Sequence, residues 1–373
     1  MLTNFEYSSI KNQSDPFYIF YPENLSKRIK YFKNKFKGTI LYAVKANPSE
    51  FIIKSLKKNG VKYFDVASIN EIRIVKKIFP EADLYFMNPV KSRNSIRKAY
   101  LFYKVRNFAV DTFDELDKIH QETNFAKDLN IFMRLKIPNN YSIIKLSNKF
   151  GISQKIAPSL LKKIDMISSK VGICFHVGSQ CTDPNAFNIA FSLSKKVLKA
   201  SGVKISYLNV GGGFPQNLRE QKVQNISNYL NLINKNFSTF LKNSDEKINL
   251  FSEPGRSIVS DCLSLVVKVN LRKKNKLYIN EGIHGYLNNA GYLDFTYPVK
   301  IFNKKKVGSE IKPFSFFGPT CDSNDFMKGP FFLPDSIREG DWIEIKNIGA
   351  YSMTMKTDFN GLNTRLKVFK SQN

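Results

Sequence analysis

Eight short runs of apolar, β-prone residues alternate with helix-like stretches between Thr39 and Ser252, and this alternation constrains the fold more than any other feature. Repeated strand–helix units indicate a parallel sheet that is covered by helices. Eight such units are the number that closes a (β/α)8 barrel, so we expect an α/β fold of this kind. The predicted strands are Thr39–Val44, Tyr63–Val66, Asp83–Met87, Asn107–Val110, Ile131–Leu135, Gly172–Val177, Ile205–Val210 and Ile248–Ser252.

After Arg256 the pattern changes to strands and turns with few long helical stretches. We therefore expect a barrel domain over residues 21–262 and a C-terminal, mainly-β domain over residues 263–373. Residues 1–20, which include most of the apolar run Phe17–Tyr21, are predicted to add a strand to the β domain. The strands predicted in the second domain are Leu263–Asn270, Leu277–Asn280, Tyr297–Phe302, Phe314–Phe317, Trp342–Lys346 and Leu366–Phe369.

Chemically useful side chains lie at the C-terminal ends of the predicted barrel strands, where barrels of this kind build their active sites. Lys45 follows the first strand, and partial burial there would favour the neutral amine that acts as a nucleophile. Asp65, Arg134 and His176 lie at or near the ends of the second, fifth and sixth strands, and Glu253 follows the eighth. Their position at one end of the barrel predicts a single site.

Two neighbouring loops predict a phosphate site. Gly211–Gly213 follows the seventh strand, where glycines let backbone N–H groups approach an anion, and Arg256 offers a guanidinium from the next loop. A tight turn without a ligand is the alternative for the glycines. A buried Glu253 needs a partner, which is either a protonated pyridine nitrogen or a neighbouring Lys or Arg. His176 either stacks on an aromatic cofactor or is a satisfied polar residue.

The chain carries 58 Lys and Arg against 31 Asp and Glu, which gives a formal net charge of +27. A charge of this size can bind nucleic acid or an anionic membrane. The basic residues are scattered, however, and no zinc-finger, RNP-like or basic-zipper pattern accompanies them. We therefore interpret the charge as a lysine-rich surface and expect neither a nucleic-acid nor a membrane partner.

The cysteine and hydropathy patterns indicate the cellular compartment in which the protein would be found. The four cysteines form no Cys-x-x-Cys pair and the three histidines are dispersed, so no metal site is predicted. No stretch reaches the about 18 apolar residues that span a bilayer. The segment Met1–Tyr7 lacks the basic and apolar regions of a signal peptide. We expect a soluble cytoplasmic protein with free thiols.

Seven short motifs follow one another between residues 17 and 368: Tyr42–Asn47, Phe64–Ser68, His176–Ser179, Gly211–Pro215, Glu253–Arg256, Gly318–Ser323 and Gly349–Tyr351. In this order they resemble the ornithine/diaminopimelate/arginine decarboxylase family, the barrel-type, alanine-racemase-like pyridoxal-phosphate enzymes. The stretch Gly318–Pro334 resembles the bacterial ornithine and ornithine/lysine members in particular. The resemblance implies pyridoxal 5'-phosphate as the cofactor.

The resemblance also implies roles for individual residues of the barrel. Lys45 would hold the cofactor as a Schiff base, Glu253 would pair with its ring nitrogen, and His176 would stack on its ring. Further positions are implied to bind the phosphate or to line and support the pocket, namely Asp65, Glu71, Arg134, Ser179, Gly211, Gly212, Gly213, Gly255, Arg256 and Tyr351.

Cys321 and Asp322 are implied to complete the active site of a neighbouring subunit, so the resemblance predicts a homodimer with shared sites. Cys321 would protonate the α-carbon of the substrate after carbon dioxide has left, and Asp322 and Tyr292 would bind the substrate. Lys149 and Asp325 match positions that form a salt bridge across the subunit interface. At a surface such a pair stabilises by about 0–1 kcal/mol.

Asp322 also indicates the substrate, because a carboxylate suits the distal ammonium of ornithine or lysine, whereas the diaminopimelate branch of the family has Cys-Glu-Ser here. We expect decarboxylation of L-ornithine to putrescine. Lysine would be converted to cadaverine alongside it, since one methylene discriminates by only about 1–3 kcal/mol. Leu293 stands where eukaryotic members place a second carboxylate, and Asp294 fits there only with a one-residue shift. His284 replaces a tyrosine of the family and has no assigned role.

Several other activities fit the sequence less well. Diaminopimelate, arginine or carboxynorspermidine are alternative substrates. A non-catalytic regulator related to the decarboxylases would be expected to lack Lys45 or Cys321, and both are present. Alanine racemase shares the barrel, but it needs a second base on the opposite face of the ring and has no Cys-Asp proton donor.

Overall fold

The computed structural model of the chain describes residues 13–216, 224–242, 247–302, 310–362 and 366–371. Residues 1–12, on which the expectation of no signal peptide rests, lie outside this range, as does the first part of the strand region predicted over residues 1–20. The chain divides into two compact units, here called the barrel unit and the β unit. The described residues between 29 and 257 form the barrel unit, and those before 29 and after 257 form the β unit.

The described residues form eighteen strands and ten α-helices, numbered in chain order. The strands are β1 Phe17–Phe20, β2 Thr39–Ala43, β3 Tyr63–Val66, β4 Asp83–Phe86, β5 Asn107–Val110, β6 Asn130–Arg134, β7 Ser142–Ile144, β8 Lys170–Cys174, β9 Ser179–Cys181, β10 Tyr207–Asn209, β11 Asn249–Ser252, β12 Leu263–Lys273, β13 Lys276–Ile279, β14 Val299–Ile301, β15 Ile311–Phe317, β16 Phe326–Pro334, β17 Trp342–Ile345 and β18 Lys367–Lys370. The helices are α1 Pro22–Lys35, α2 Glu50–Lys58, α3 Ile69–Ile78, α4 Arg93–Leu101, α5 Phe113–Glu122, α6 Ala157–Ile167, α7 Asn185–Ser201, α8 Ile226–Leu241, α9 Arg256–Val259 and α10 Asn288–Tyr292.

A closed barrel of eight strands forms the barrel unit, in the order β10-β11-β2-β3-β4-β5-β6-β8. Each neighbouring pair is parallel, so the carboxyl ends of all eight strands lie at one edge. The predicted (β/α)8 barrel is therefore confirmed. Several strands begin or end one to three residues from their predicted bounds. The difference that matters for the site is that β8 ends at Cys174 and not at the predicted Val177, which leaves His176 on the loop that follows the strand.

Aromatic side chains fill the interior of the barrel, as bulky inward-facing residues must if a closed sheet is to leave no void. The ring centroids of Tyr85 and Phe251 lie 5.4 Å apart, and those of Tyr85 and Phe132 lie 5.9 Å apart. Outside, helix α3 begins after Ser68, whose hydroxyl accepts the N–H of Glu71 and so caps the helix.

The β unit contains a sheet in the order β14-β17-β12-β13-β15-β16, and β1 joins it by pairing antiparallel with β12 and parallel with β18. Phe17 of β1 packs its ring edge-on against Phe302 and Phe369 at centroid distances of 5.8 and 5.3 Å. The sequence did not predict β16, because Gly329 and Pro330 lie inside this strand and both residue types are depleted in strand interiors. In the described part of the chain, no helix is long and apolar enough to cross a membrane.

Candidate active site

Lys45 lies on a single 3₁₀ turn, Val44–Ala46, that begins directly after β2. Its Nζ is 2.5 Å from Oδ2 of Asp65, on the neighbouring strand β3, where parallel pairing places Ala43 beside Asp65. The Lys45 side chain is 41% exposed and that of Asp65 only 1%. The lysine side chain is thus partly buried, as the sequence predicts. Among the described residues, the buried Oδ1 of Asp65 has no hydrogen-bond partner.

Glu253 follows β11 and is held on both its backbone and its side chain. Its N–H donates to the carbonyl of Gly211 at 2.7 Å, and Oε1 accepts from Nδ2 of Asn209 at 2.7 Å. Burial raises the pKa of Glu253 to about 7, and the negative charge of Asp65 adds to this effect while the positive Lys45 opposes it. With this pKa the carboxyl group is only partly ionised near neutral pH, and a further cation facing it would favour the ionised form.

His176 lies on the loop after β8, with Nδ1 accepting a hydrogen bond of 3.0 Å from the N–H of Gly178. Burial holds the pKa of His176 well below its usual range, and the positive charges of Arg134 and Lys45 act in the same direction. The ring is therefore neutral at neutral pH. A Cβ built on Gly212 would lie 3.4 Å from Nε2 of His176, so the ring lies against the glycine loop.

The glycine loop Gly211–Gly213 packs against the backbone of two other strand-end loops. Cβ atoms added at Gly211, Gly212 and Gly213 would meet the carbonyl oxygens of Phe175, Glu253 and Gly178 at 2.2, 2.5 and 2.3 Å. Gly211 and Gly213 also have φ values of +68° and +92°, which favour glycine. Loop packing by itself therefore requires these glycines. Phosphate binding by their N–H groups stays a prediction.

The remaining barrel residues named from the sequence lie around this cluster. Arg134 is the last residue of β6, and its guanidinium lies 4.8 Å from the centroid of the Phe150 ring. A Cβ on Gly255 would lie 2.9 Å from Cβ of Ala46, so this glycine lets the loop after β11 approach the turn that carries Lys45. Other positions are described by their surroundings: Arg256 is buried at the start of α9, Ser179 is half-buried at the start of β9, and Glu71 accepts the N–H of Ala67 at 2.7 Å.

A second cluster lies in the β unit, on the loop between β15 and β16. Cys321 is exposed, and its N–H donates to Oδ1 of Asn360 at 3.0 Å. Oδ2 of Asp322 lies 2.7 Å from Nε2 of His284, and Oδ1 accepts the N–H of Asn324 at 2.9 Å. The Asn324 N–H, followed by His284, lowers the pKa of Asp322. The sequence assigned no role to His284, and the structure places it directly against the predicted substrate carboxylate.

Asp325, predicted to form an ion pair across a subunit interface, is 3% exposed within a single chain. Its Oδ1 accepts the N–H of Ile283 at 2.8 Å, and its Oδ2 accepts the hydroxyl of Thr320 at 2.7 Å. Through these bonds Asp325 joins two loops of the β unit. Because its carboxylate is directed to partners within its own chain, the bonds do not favour an ion pair with Lys149 of a second copy. Its predicted partner Lys149 is exposed, with Nζ 5.2 Å from the ring centroid of Phe150.

Two tyrosines named from the sequence lie at positions that do not test their predicted roles. Tyr292 ends helix α10 and is 61% exposed. Tyr351 is half-buried with φ +58°, and it lies two residues after Gly349, where a Cβ would lie 1.8 Å from the carbonyl oxygen of Val259. The roles of Tyr292 in substrate binding and of Tyr351 in phosphate binding stay predictions.

Known proteins resemble this chain over most of its length. Residues 23–260 match the family described as "Pyridoxal-dependent decarboxylase, pyridoxal binding domain". The chain is 30% identical to the lysine/ornithine decarboxylase of Selenomonas ruminantium over 334 residues, covering 87% of this chain and 81% of that protein. It is also 30% identical to antizyme inhibitor 2 of Xenopus laevis, with 90% and 76% covered. The crystal structure of the Paramecium bursaria Chlorella virus arginine decarboxylase superposes with a TM-score of 0.87 at 26% identity, covering 99% of this chain and 100% of that one.

Proposed function

The chain belongs to the pyridoxal-dependent decarboxylase family, and on that premise we propose that it decarboxylates L-ornithine to putrescine and carbon dioxide. Pyridoxal 5'-phosphate is its cofactor. Lysine would be a second substrate and would give cadaverine. The observation that carries the choice of substrate is Asp322, whose lowered pKa keeps it negatively charged beside Cys321, as a site for a distal ammonium requires.

The residues at the mouth of the barrel fit the cofactor by the chemistry of their side chains. Lys45 offers a primary amine to an aldehyde. Glu253 has its pKa raised to about 7, so a facing cation would favour its ionised form, and a protonated pyridine nitrogen is such a cation. His176 offers a neutral aromatic face. When bound, the cofactor supplies an electron sink for the electron pair that remains when carbon dioxide leaves.

The protein's own groups would then act on the substrate in turn. Lys45 would hold the cofactor through Nζ and give way to the substrate amine, with Asp65 at 2.5 Å placed to accept its proton. The bond between the α-carbon and the carboxylate would break, carbon dioxide would leave, and the electron pair of that bond would remain available to the α-carbon through the electron sink. The Cys321 thiol would donate a proton to that carbon, a general-acid step that typically contributes about 10²–10⁴-fold.

We further propose a cytoplasmic homodimer in which Cys321 and Asp322 of one copy complete the site of the other. The support for this assembly is the resemblance to the family, together with the exposure of Cys321 in the single chain. An exposed thiol on a loop is accessible to a second copy. The proposed pair of Lys149 with Asp325 has less support, because the Asp325 carboxylate is already satisfied within its own chain.

The test is to supply the purified protein with pyridoxal phosphate and to incubate it separately with ornithine, lysine, arginine and meso-diaminopimelate. The products to quantify are putrescine, cadaverine, agmatine and lysine. We expect putrescine to form faster than cadaverine at equal substrate concentration. Agmatine or lysine as the main product would contradict the substrate choice and leave decarboxylation standing.

A regulatory function is the second candidate, and the 30% identity to antizyme inhibitor 2 of Xenopus laevis favours it. Lys45 and Cys321 are the residues on which the two functions differ, because only the enzyme needs an amine for the cofactor and an acid for the carbon. A protein that binds no pyridoxal phosphate and forms no amine from any of the four substrates would support the regulator.

A further inference from the structure

We propose that His284 determines substrate preference by holding Asp322 in a state that accepts an ammonium group and rejects a guanidinium group. The inference rests on the proposed decarboxylase function and deepens it, because it names the residue that separates ornithine and lysine from arginine. His284 acts through Asp322 and is therefore a positioning residue. The inference depends on three features of the β unit: the direction of one hydrogen bond, the acceptor sites left on one carboxylate, and the support of one imidazole ring.

The contact between His284 and Asp322 has a defined direction. Nε2 of His284 and Oδ2 of Asp322 are 2.7 Å apart. The backbone N–H of Asn324 and the His284 ring both lower the pKa of Asp322, so this carboxylate is ionised at neutral pH. An ionised carboxylate has no proton to donate. His284 must therefore carry a proton on Nε2 and donate it, which fixes the rotation of the carboxylate plane.

The remaining acceptor capacity of Asp322 suits one kind of ligand. A carboxylate has about four lone-pair sites, two on each oxygen. In the described part of the chain, Oδ1 accepts from both the backbone N–H and Nδ2 of Asn324, at 2.9 and 3.1 Å, and Oδ2 accepts from His284. Because His284 fixes the rotation of the carboxylate plane, Oδ1 stays bonded to Asn324 and the unoccupied site is on Oδ2. A single N–H of an ammonium can use it, whereas a guanidinium binds a carboxylate best through two parallel bonds, one to each oxygen.

His284 is itself supported by the segment Thr357–Asn360. The N–H and hydroxyl of Thr357 donate to the carbonyl of His284 at 2.9 and 3.0 Å, and the Phe359 ring lies 4.7 Å from the His284 ring. Asn360 of the same segment accepts the N–H of Cys321 at 3.0 Å. One short segment thus supports both the histidine that orients Asp322 and the backbone of the cysteine beside it.

The experiment compares the holoenzyme with three variants. His284→Leu removes the donor and keeps an apolar side chain against Phe359. His284→Gln keeps an N–H donor at a comparable distance from the backbone. His120→Leu is the matched control, because His120 lies on α5 with its ring 4.9 Å from that of Phe125, and no role in the site is assigned to it. For each protein, KM and kcat are measured for ornithine and arginine, and calorimetry gives the dissociation constants of putrescine and agmatine.

We expect His284→Leu to raise KM for ornithine roughly tenfold with kcat nearly unchanged, because a hydrogen bond to a charged group is lost far from the reacting carbon. The preference for ornithine over arginine in kcat/KM should narrow by a similar factor, as should the preference for putrescine over agmatine in binding. His284→Gln should recover most of both preferences, and His120→Leu should retain them. A melting temperature close to that of the parent for His284→Gln would show that the fold is intact.

The outcomes separate this inference from the proposed function. If the parent converts ornithine and His284→Leu leaves both preferences unchanged, the role of His284 is overturned and the decarboxylase function stands. If the parent forms no amine, the function fails, and the binding preference alone then decides the inference. A parent that binds putrescine no better than agmatine would overturn the role of His284, whatever its activity.

Discussion

The barrel unit and the β unit place their reactive side chains in different ways. In the barrel unit, Lys45 lies on the turn after β2, Glu253 directly follows β11, and Asp65 lies on β3. Because these strands are neighbours in a parallel sheet, their ends meet at one edge. In the β unit, Cys321 and Asp322 lie on a loop, and their partners Asn360 and His284 are 39 and 38 residues away in the chain. Where strands pair regularly, position in the sequence predicts which side chains lie together. For contacts between loops it does not.

Lys45→Ala has the largest expected effect, because it removes the primary amine on which the barrel site depends. We expect the variant to lose the visible absorbance of bound pyridoxal phosphate and to lose activity by more than about 10⁴-fold. Absorbance spectra and turnover with ornithine provide the measurement. Lys54→Ala is the control, since Lys54 is 64% exposed and pairs with Glu50 on the surface of α2. Retained activity in Lys45→Ala would contradict the assignment.

Cys321→Ala tests whether the two units have separate tasks, with the β unit supplying a proton donor and the barrel unit binding the cofactor. The variant should keep the absorbance of bound cofactor and lose about 10²–10⁴-fold in kcat, because the proton donor to the α-carbon is missing. Cys321→Ser, a much weaker acid of similar size, should stay closer to the alanine variant than to the parent. Loss of the cofactor band in Cys321→Ala would show that the two units do not divide these tasks.

Glu253→Gln has the smallest expected effect and tests the electrostatics of the barrel mouth in the cofactor-free protein. The folded pKa of about 7 lies above the ordinary 4.5, so the stabilising contribution of protonated Glu253 is complete below 4.5 and is lost as the pH rises to about 7. Between about pH 5 and about pH 8, the free energy of unfolding should fall by about 2 kcal/mol more in the parent than in the variant.

Urea unfolding at the two pH values measures this difference. Glu81→Gln serves as the control because the Glu81 side chain is 72% exposed, and it should behave like the parent. An equal pH dependence in Glu253→Gln and the parent would mean that Glu253 does not titrate near pH 7 in the folded protein.

Much of the barrel unit could be predicted because its signals are local and periodic. The predicted barrel strands agree with those observed apart from their ends. His176 is the informative exception, since β8 stops at Cys174 and the loop after it turns through Gly178 at φ +93°. In the β unit, β16 was missed because Gly329 and Pro330 lie inside it, and the burial of Asp325 was missed because its donors come from separate loops.

The sequence by itself determined the barrel, the family to which the chain belongs and the order of the residues along the strand ends, because strand–helix alternation and short motifs are properties of neighbouring residues. Only the tertiary structure decided which groups face one another. It showed that the glycines of Gly211–Gly213 are required by loop packing, and that Nε2 of His284 lies within hydrogen-bond distance of Asp322. A difference of a few tenths of an ångström in the donor–acceptor distance decides whether a hydrogen bond forms. Only the folded backbone sets that distance between segments far apart in the chain.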